Sequence, residues 1–93
     1  MVKVTTERLA DIAGELIDTI IRKNADYGNS WQSYGDISAL TRVKDKLIRL
    51  ETLSDGRRAL VVDENVENTV TDIAGYCLLL MLWYRHNEQD SRD

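Results

Sequence analysis

The longest nearly uninterrupted apolar stretch is Ile73–Tyr84, with the sequence Ile-Ala-Gly-Tyr-Cys-Leu-Leu-Leu-Met-Leu-Trp-Tyr. It is far shorter than the ~20 residues that a membrane-spanning helix needs, so we expect it to be buried in protein. As a helix it is apolar on nearly every face, and such a helix must be covered on every side. Two other helices of similar length can hardly cover it. The stretch therefore predicts an all-α fold, a three-helix antiparallel bundle that oligomerises through its apolar third helix.

Hydrophobic periodicity predicts one helical domain over residues 1–93, with helices at about 6–23, 36–54 and 63–86. Thr5 or Thr6 can cap the first helix, and the Arg22-Lys23-Asn24 sequence places positive charge where the helix dipole favours a C-terminus. Asp63 is a suitable N-cap for the third helix. Cys77 lies in the apolar stripe of that helix, so we expect it to lie in the core. We interpret Met81 and Trp83 as packing residues.

Composition excludes several classes of function. A net charge of −4 and a pI of about 4.9 argue against general duplex-DNA binding, which depends on neutralising phosphates. The single cysteine cannot form an internal disulfide, and no leader-like segment precedes the first helix, so a cytoplasmic location is expected. The sequence has no Cys/His set with zinc spacing, no phosphate-binding Gly-x-x-x-x-Gly-Lys loop and no nucleophile elbow.

The segment Asn24–Gly35, Asn-Ala-Asp-Tyr-Gly-Asn-Ser-Trp-Gln-Ser-Tyr-Gly, is unusual for a simple connection. Its two glycines allow backbone conformations that other residues avoid. Its three rings, from Tyr27, Trp31 and Tyr34, offer flat faces on which a nucleotide base can stack. The alternative is that the rings close the end of a helix pair and the glycines only stop helices.

The second helix carries a row of cations, Arg42, Lys46 and Arg49, at four- and three-residue spacing on one face. Asp45 lies between the two arginines and can brace both guanidinium groups. Forked guanidinium donors beside an aromatic loop are typical of a phosphate site. The alternative is a solvated helix face with ordinary ion pairs, each worth only a few tenths of a kcal/mol.

The third helix carries a polar stripe beside its apolar one, made of Asn65, Thr69, Asp72 and Tyr76, with Asn68 one turn before Asp72. Asp72 precedes the wholly apolar stretch, and a buried carboxylate needs a partner. Arg42, Lys46 or Arg49 would make it structural, whereas a bound cation would make it catalytic.

A magnesium-dependent hydrolase is an open alternative, because nucleotide hydrolysis by an all-helical protein uses carboxylates to hold Mg²⁺. The candidate metal ligands are Glu64, Glu67 and Asp72, with Glu15 and Asp18 of the first helix able to complete the set. Glu67 and Asp72 are not on one helix face, so the set is incomplete.

Three separated motifs resemble a known family: Lys23-Asn-Ala-Asp-Tyr-Gly-Asn-Ser-Trp31, Arg42-Val-Lys-Asp-Lys-Leu-Ile-Arg-Leu50 and Glu67-Asn-Thr-Val-Thr-Asp-Ile-Ala-Gly-Tyr76. They are similar to the small phage and prophage family named nucleotide modification associated domain one, over about Lys23–Trp83. The resemblance implies a helical protein of phage nucleotide biology, and it adds Asp26 to the site candidates. The layout also resembles, more loosely, the all-α nucleotide pyrophosphohydrolases, but it lacks their Glu-Glu-x-x-Glu helix.

These patterns lead us to expect an oligomeric phage protein that binds, and sequesters, a phosphorylated nucleotide such as a cyclic nucleotide or cyclic ADP-ribose immune signal. The expected ligand-binding residues are Asp26, Tyr27, Trp31, Tyr34, Arg42, Asp45, Lys46, Arg49, Asn68, Asp72 and Tyr76. We expect no cofactor, with Mg²⁺ required only if the protein is a pyrophosphohydrolase. A third possibility is an adaptor that binds a host protein through its apolar third helix.

Overall fold

In a computed structural model, which describes residues 1–54 and 66–92, the chain is all-helical with three α-helices. They are α1 (Thr6–Tyr27), α2 (Asp36–Ser54) and α3 (Val66–Arg92), and a 3₁₀ turn (Ser30–Gln32) with a three-residue extended segment β1 (Ser33–Gly35) leads into α2. None of the helices in these residues is long and apolar enough to cross a membrane. The chain divides into two compact units, Met1–Ser30 and Trp31–Asp93, and each is described by itself.

The first unit consists mainly of α1. As predicted, α1 begins at Thr6, and Thr5 is its N-cap, with the Thr5 hydroxyl accepting a hydrogen bond from the Arg8 backbone N–H at 3.2 Å. The predicted end at Lys23 was wrong, because α1 continues to Tyr27. Positive side chains favour a helix C-terminus but do not stop a helix. Gly28 stops it, with φ 62° and its N–H bonded to the Asn24 carbonyl at 2.7 Å.

The second unit is built on the packing of α2 against α3. Asp36 contacts Tyr84 and Lys46 contacts Asp72, so the chain runs in opposite directions in the two helices. This antiparallel register brings Ala39 level with Leu80, and these two side chains are 0% and 6% exposed. The small Ala39 side chain allows the helices to approach closely, which places the core of this unit at that level.

The buried face of α3 differs from the predicted apolar stripe. Thr69 is 2% exposed, whereas Cys77, which we predicted in the core, is exposed. The face that meets α2 is rotated toward the polar stripe, because α2 supplies Lys46 as a partner for Asp72 inside the seam. Much of the apolar surface of α3 is consequently left outside the α2–α3 seam.

α2 has its predicted bounds, whereas α3 is longer than predicted at its C-terminus. α2 spans Asp36–Ser54, the predicted range. The predicted start of α3 at Asp63 lies outside the described residues, as does Asn65. α3 continues past the predicted end at His86 to Arg92. The tail has neither glycine nor proline, and residues such as Glu88 and Gln89 extend a helix readily without any apolar periodicity.

Candidate functional site

Two polar contacts between α2 and α3 lie on opposite sides of the helix pair. The side of each contact follows from the positions of its residues, since residues advance about 100° per position around a helix. The Lys46–Asp72 contact marks the side that we call the cationic side, and the Asp36–Tyr84 contact marks the side that we call the apolar side. The cationic side is formed by Ser38, Arg42, Asp45, Lys46 and Arg49 of α2 with Asn68 and Asp72 of α3. The apolar side is formed by Leu40 and Leu47 of α2 with Val70, Cys77 and Met81 of α3.

The central contact of the cationic side is an ion pair. Lys46 Nζ lies 3.0 Å from Asp72 Oδ2, and each side chain is 27% exposed. Lys46 is thus one of the three predicted cations, and it contacts Asp72. Such a half-buried pair fixes the relative position of the two helices at this level.

The two arginines lie beside this ion pair. Arg42 and Arg49 are exposed, as is Asp45, which lies within one turn of both. The arginines are seven positions apart, a rise of about 10 Å along α2. Their guanidinium groups, together with the Lys46 ammonium, make this side of the pair a row of cationic donors that an anionic ligand can approach from solvent.

The candidate residues of α3 continue the same side. Asn68 is exposed one turn before Asp72, and Tyr76 is half-buried one turn after it. Amide, carboxylate and phenol groups thus follow one another along α3 opposite the arginines of α2. Such groups can donate to or accept from the hydroxyl and base atoms of a ligand.

The two aromatic candidates of the second unit, Trp31 and Tyr34, lie at the N-terminal end of α2. Trp31 is half-buried and Tyr34 is 84% exposed, just before α2, where the Tyr34 N–H donates to the Ser38 hydroxyl at 3.1 Å. Arg49 lies about 20 Å further along the α2 axis, given ~1.5 Å per residue. Asp26 and Tyr27 belong to the first unit, where both are exposed.

One aromatic residue was missed by the sequence analysis. Trp83, which we assigned to packing, lies at the end of the cationic side nearest β1 and is half-buried. A methyl group added at Gly35 would lie 3.6 Å from Trp83 Cζ2, which shows how closely the ring approaches the loop. The sequence spacing could have placed Trp83 on the cationic side, because Trp83 follows Tyr76 by seven positions and so shares its helix face.

The contact on the apolar side joins a phenol to a carboxylate. The Tyr84 hydroxyl donates to Asp36 Oδ2 at 2.8 Å, and the Tyr84 ring meets the Trp83 ring edge to face at 5.4 Å. The hydrogen bond to Asp36, then desolvation and the Asp36 charge, raise the pKa of Tyr84 above 10.0. Tyr84 therefore stays a neutral donor across the physiological range.

The carboxylates of the described residues contain no group of three or more potential metal ligands. Glu67 is exposed on α3, and Asp72 is engaged by Lys46. Glu64, the third ligand of the hydrolase alternative, lies outside the described residues.

The second unit is thus an antiparallel pair of α-helices with a row of cationic side chains along one side. Residues 23–83 match the family model described as nucleotide modification associated domain 1. The match spans well over half of the chain, and the chain belongs to this family. It includes both helices of the pair up to Trp83 and the segment that precedes them. No curated protein and no solved structure matches the chain.

Proposed function

We propose that this protein binds a phosphorylated nucleotide on the cationic side of the α2–α3 pair and holds it without hydrolysing it. The observation that carries the proposal is the row Arg42, Lys46 and Arg49 on one face of α2, with Asp72 anchored opposite it. Guanidinium groups bind phosphate oxygens through paired hydrogen bonds. Membership of a nucleotide modification associated family supports a nucleotide as the anion.

The roles of the individual residues follow from their positions. Arg42 and Arg49, exposed on either side of the ion pair, hold phosphates. Asn68, Tyr76 and Asp72 orient ribose or base groups from α3, and Asp72 also holds Lys46. The rings of Trp31 and Tyr34, at the start of α2, stack on the base.

The biological role that fits such a binder is sequestration. A phage protein of this kind, acting in the cytoplasm of the bacterial host, removes a cyclic nucleotide or cyclic ADP-ribose signal and so counters host defence. We also propose that the protein is a homo-oligomer that associates through α3, where Leu78, Met81 and Leu82 are 39%, 50% and 61% exposed.

The decisive experiment is incubation of the purified protein with canonical nucleotides and cyclic immune signals in the presence of Mg²⁺. The protein is separated from free nucleotide, denatured by heat, and the released nucleotide is chromatographed. We expect one member of the panel to be recovered intact. Recovery of a product with fewer phosphates, abolished by EDTA and by Asp72→Asn, would establish the pyrophosphohydrolase alternative instead.

Two arginine variants and one control variant test where the nucleotide binds. Loss of one charged hydrogen-bonding group costs about 1.5–3 kcal/mol, so Arg42→Ala and Arg49→Ala should each weaken nucleotide binding about 10- to 100-fold. Lys44→Ala removes the same charge from the outer face of α2 and should change the affinity less than about threefold. If Arg49→Ala left the affinity for every nucleotide unchanged, the assignment of the cationic side would be wrong.

A further inference from the structure

The outer face of α3 carries a regular seam. Its members alternate at four- and three-residue spacing, which keeps them in line along a helix and is typical of a helix that pairs with another helix. They are Glu67, Thr71, Ala74, Leu78, Met81 and Arg85. The seam lies nearly opposite the face that packs on α2, where Thr69 and Leu80 are buried. Its central apolar members, Leu78 and Met81, are 39% and 50% exposed.

The seam is self-complementary about its midpoint at Tyr76. When a second α3 is laid against it in the opposite direction, Glu67 meets Arg85, Thr71 meets Met81, and Ala74 meets Leu78. A cation is thus opposite a carboxylate at both ends, and a small side chain is opposite a large one in the middle. Opposite charges at the rim set orientation, and alternating sizes let helices approach closely.

Thr71 does not interrupt this surface. Its hydroxyl donates to the Glu67 carbonyl at 2.9 Å within the helix, so its hydrogen-bonding capacity as a donor is satisfied there. The Thr71 methyl group can then pack against a methionine without leaving an unpaired donor.

From this pattern we propose that a second copy of the chain covers the seam, with the two α3 helices antiparallel and related by a two-fold axis that crosses the seam level with position 76 along the helix. A parallel pair would place Glu67 against Glu67 and Arg85 against Arg85, which costs free energy at both ends. The inference deepens the oligomeric part of the proposed function. It does not depend on nucleotide binding, so the failure of either proposal can be recognised separately.

The only cysteine provides a direct reporter of this arrangement. Cys77 is exposed and lies one position from the proposed axis. The two copies of Cys77 would therefore lie close together on one side of the helix pair. A short bismaleimide should link the wild-type protein into a covalent dimer, whereas a Cys77→Ala variant should give none. If the wild-type protein in dimeric fractions were not crosslinked, the proposed register of the two α3 helices would be wrong.

Sedimentation equilibrium tests the seam itself. Leu78→Glu places a charge opposite Ala74 of the partner subunit, and we expect the dissociation constant to rise at least about 100-fold. Ile48→Glu is the matched control, because Ile48 is an exposed apolar residue on the outer face of α2, at 54%, and should leave association unchanged. A wild-type protein that is monomeric at about 100 µM, or equal effects of the two variants, would overturn the proposal.

A charge swap tests the direction of pairing. Arg85→Glu alone and Glu67→Arg alone should each weaken the dimer, by about 10- to 30-fold at low salt and less at high salt, because each creates two like-charge contacts. The double variant Glu67→Arg/Arg85→Glu restores opposite charges only if the helices are antiparallel, and it should recover wild-type association. A double variant no tighter than the single variants would exclude this register. Circular dichroism of each variant checks that α3 remains helical.

Discussion

The two sides of the α2–α3 pair differ in the exposed residues that surround the Lys46–Asp72 and Tyr84–Asp36 contacts. On the cationic side, the Lys46–Asp72 ion pair is flanked by exposed arginines. On the apolar side, the hydrogen bond from the Tyr84 hydroxyl to the Asp36 carboxylate is flanked by residues such as Leu40 and Leu47, which are 44% and 47% exposed. One helix pair thus exposes cationic side chains on one side and apolar side chains on the other.

This difference follows from the rotation of α3. Because Thr69 and Asp72 face α2, Cys77 of the predicted apolar stripe is turned outward, whereas Leu80 stays buried. Lys46 makes this possible, since a carboxylate is accommodated in a helix interface when a cation faces it. The ion pair therefore decides which side of the pair is polar and which is apolar.

The largest expected change in stability comes from the core between α2 and α3, which borders both sides of the pair. Leu80→Ala should lower the free energy of unfolding by about 2–4 kcal/mol, because it removes a side chain that is only 6% exposed and leaves a cavity. Ile48→Ala, at a 54% exposed side chain on the outer face of α2, is the control and should cost less than about 1 kcal/mol. Urea denaturation measures both. Equal losses would mean that the face of α3 toward α2 is not the one described.

An intermediate effect concerns the cationic side. Lys46→Met removes the ammonium group from Asp72 and should cost about 1–2 kcal/mol, less than for a fully buried pair because both groups are 27% exposed. Adding Asp72→Leu should recover most of this loss, since no half-buried carboxylate then remains. Lys44→Met makes the same chemical change on the outer face and should be nearly neutral. If Lys46→Met and Lys44→Met had the same urea midpoint, the ion pair would contribute nothing.

The smallest effect concerns the apolar side. Tyr84→Phe should lower the Tm slightly at pH 7, because the hydrogen bond to Asp36 is lost. The pKa of Tyr84 is raised in the folded protein, so this stabilisation is fully present below pH 10.0 and is lost as the pH rises through the raised pKa. The Tm difference from wild type should therefore narrow above pH 10.

Ultraviolet titration of the phenols gives an independent check on the same contact. In the wild-type protein the Tyr84 phenol should ionise at a pH above its ordinary pKa of 10.0. That transition should disappear in Tyr84→Phe. A transition above pH 10.0 that was unchanged in Tyr84→Phe would contradict the hydrogen bond to Asp36.

The start of α1 and the range of α2 could be predicted from sequence because caps and apolar periodicity are local signals. The end of α1 was misplaced because charge was weighed above Gly28. The register of α2 against α3 could not be predicted, so the sequence did not indicate which cation would contact Asp72. The register depends on packing between Ala39 and Leu80, which are far apart in the sequence. Trp83 was assigned to packing for the same reason.

The grouping of Arg42, Asp45, Lys46 and Arg49 could be predicted, because residues three and four apart share a helix face. Their relation to the aromatic residues could not. Tyr34 and Trp31 are close to Arg42 in sequence, yet the rise of α2 carries Arg49 well away from them. Proximity along the chain is a weak guide to proximity in space once a helix intervenes.

The most direct test of the proposed nucleotide site is an amide NMR titration of the ¹⁵N-labelled protein. The ligand is the nucleotide that the protein retains in the incubation experiment. Binding on the cationic side predicts that the largest shift changes occur at Ser38, Arg42, Arg49, Asn68 and Asp72, while Leu40, Leu47 and Val70 change little. Changes centred on the apolar side, or none with any nucleotide of the panel, would contradict the proposed nucleotide site.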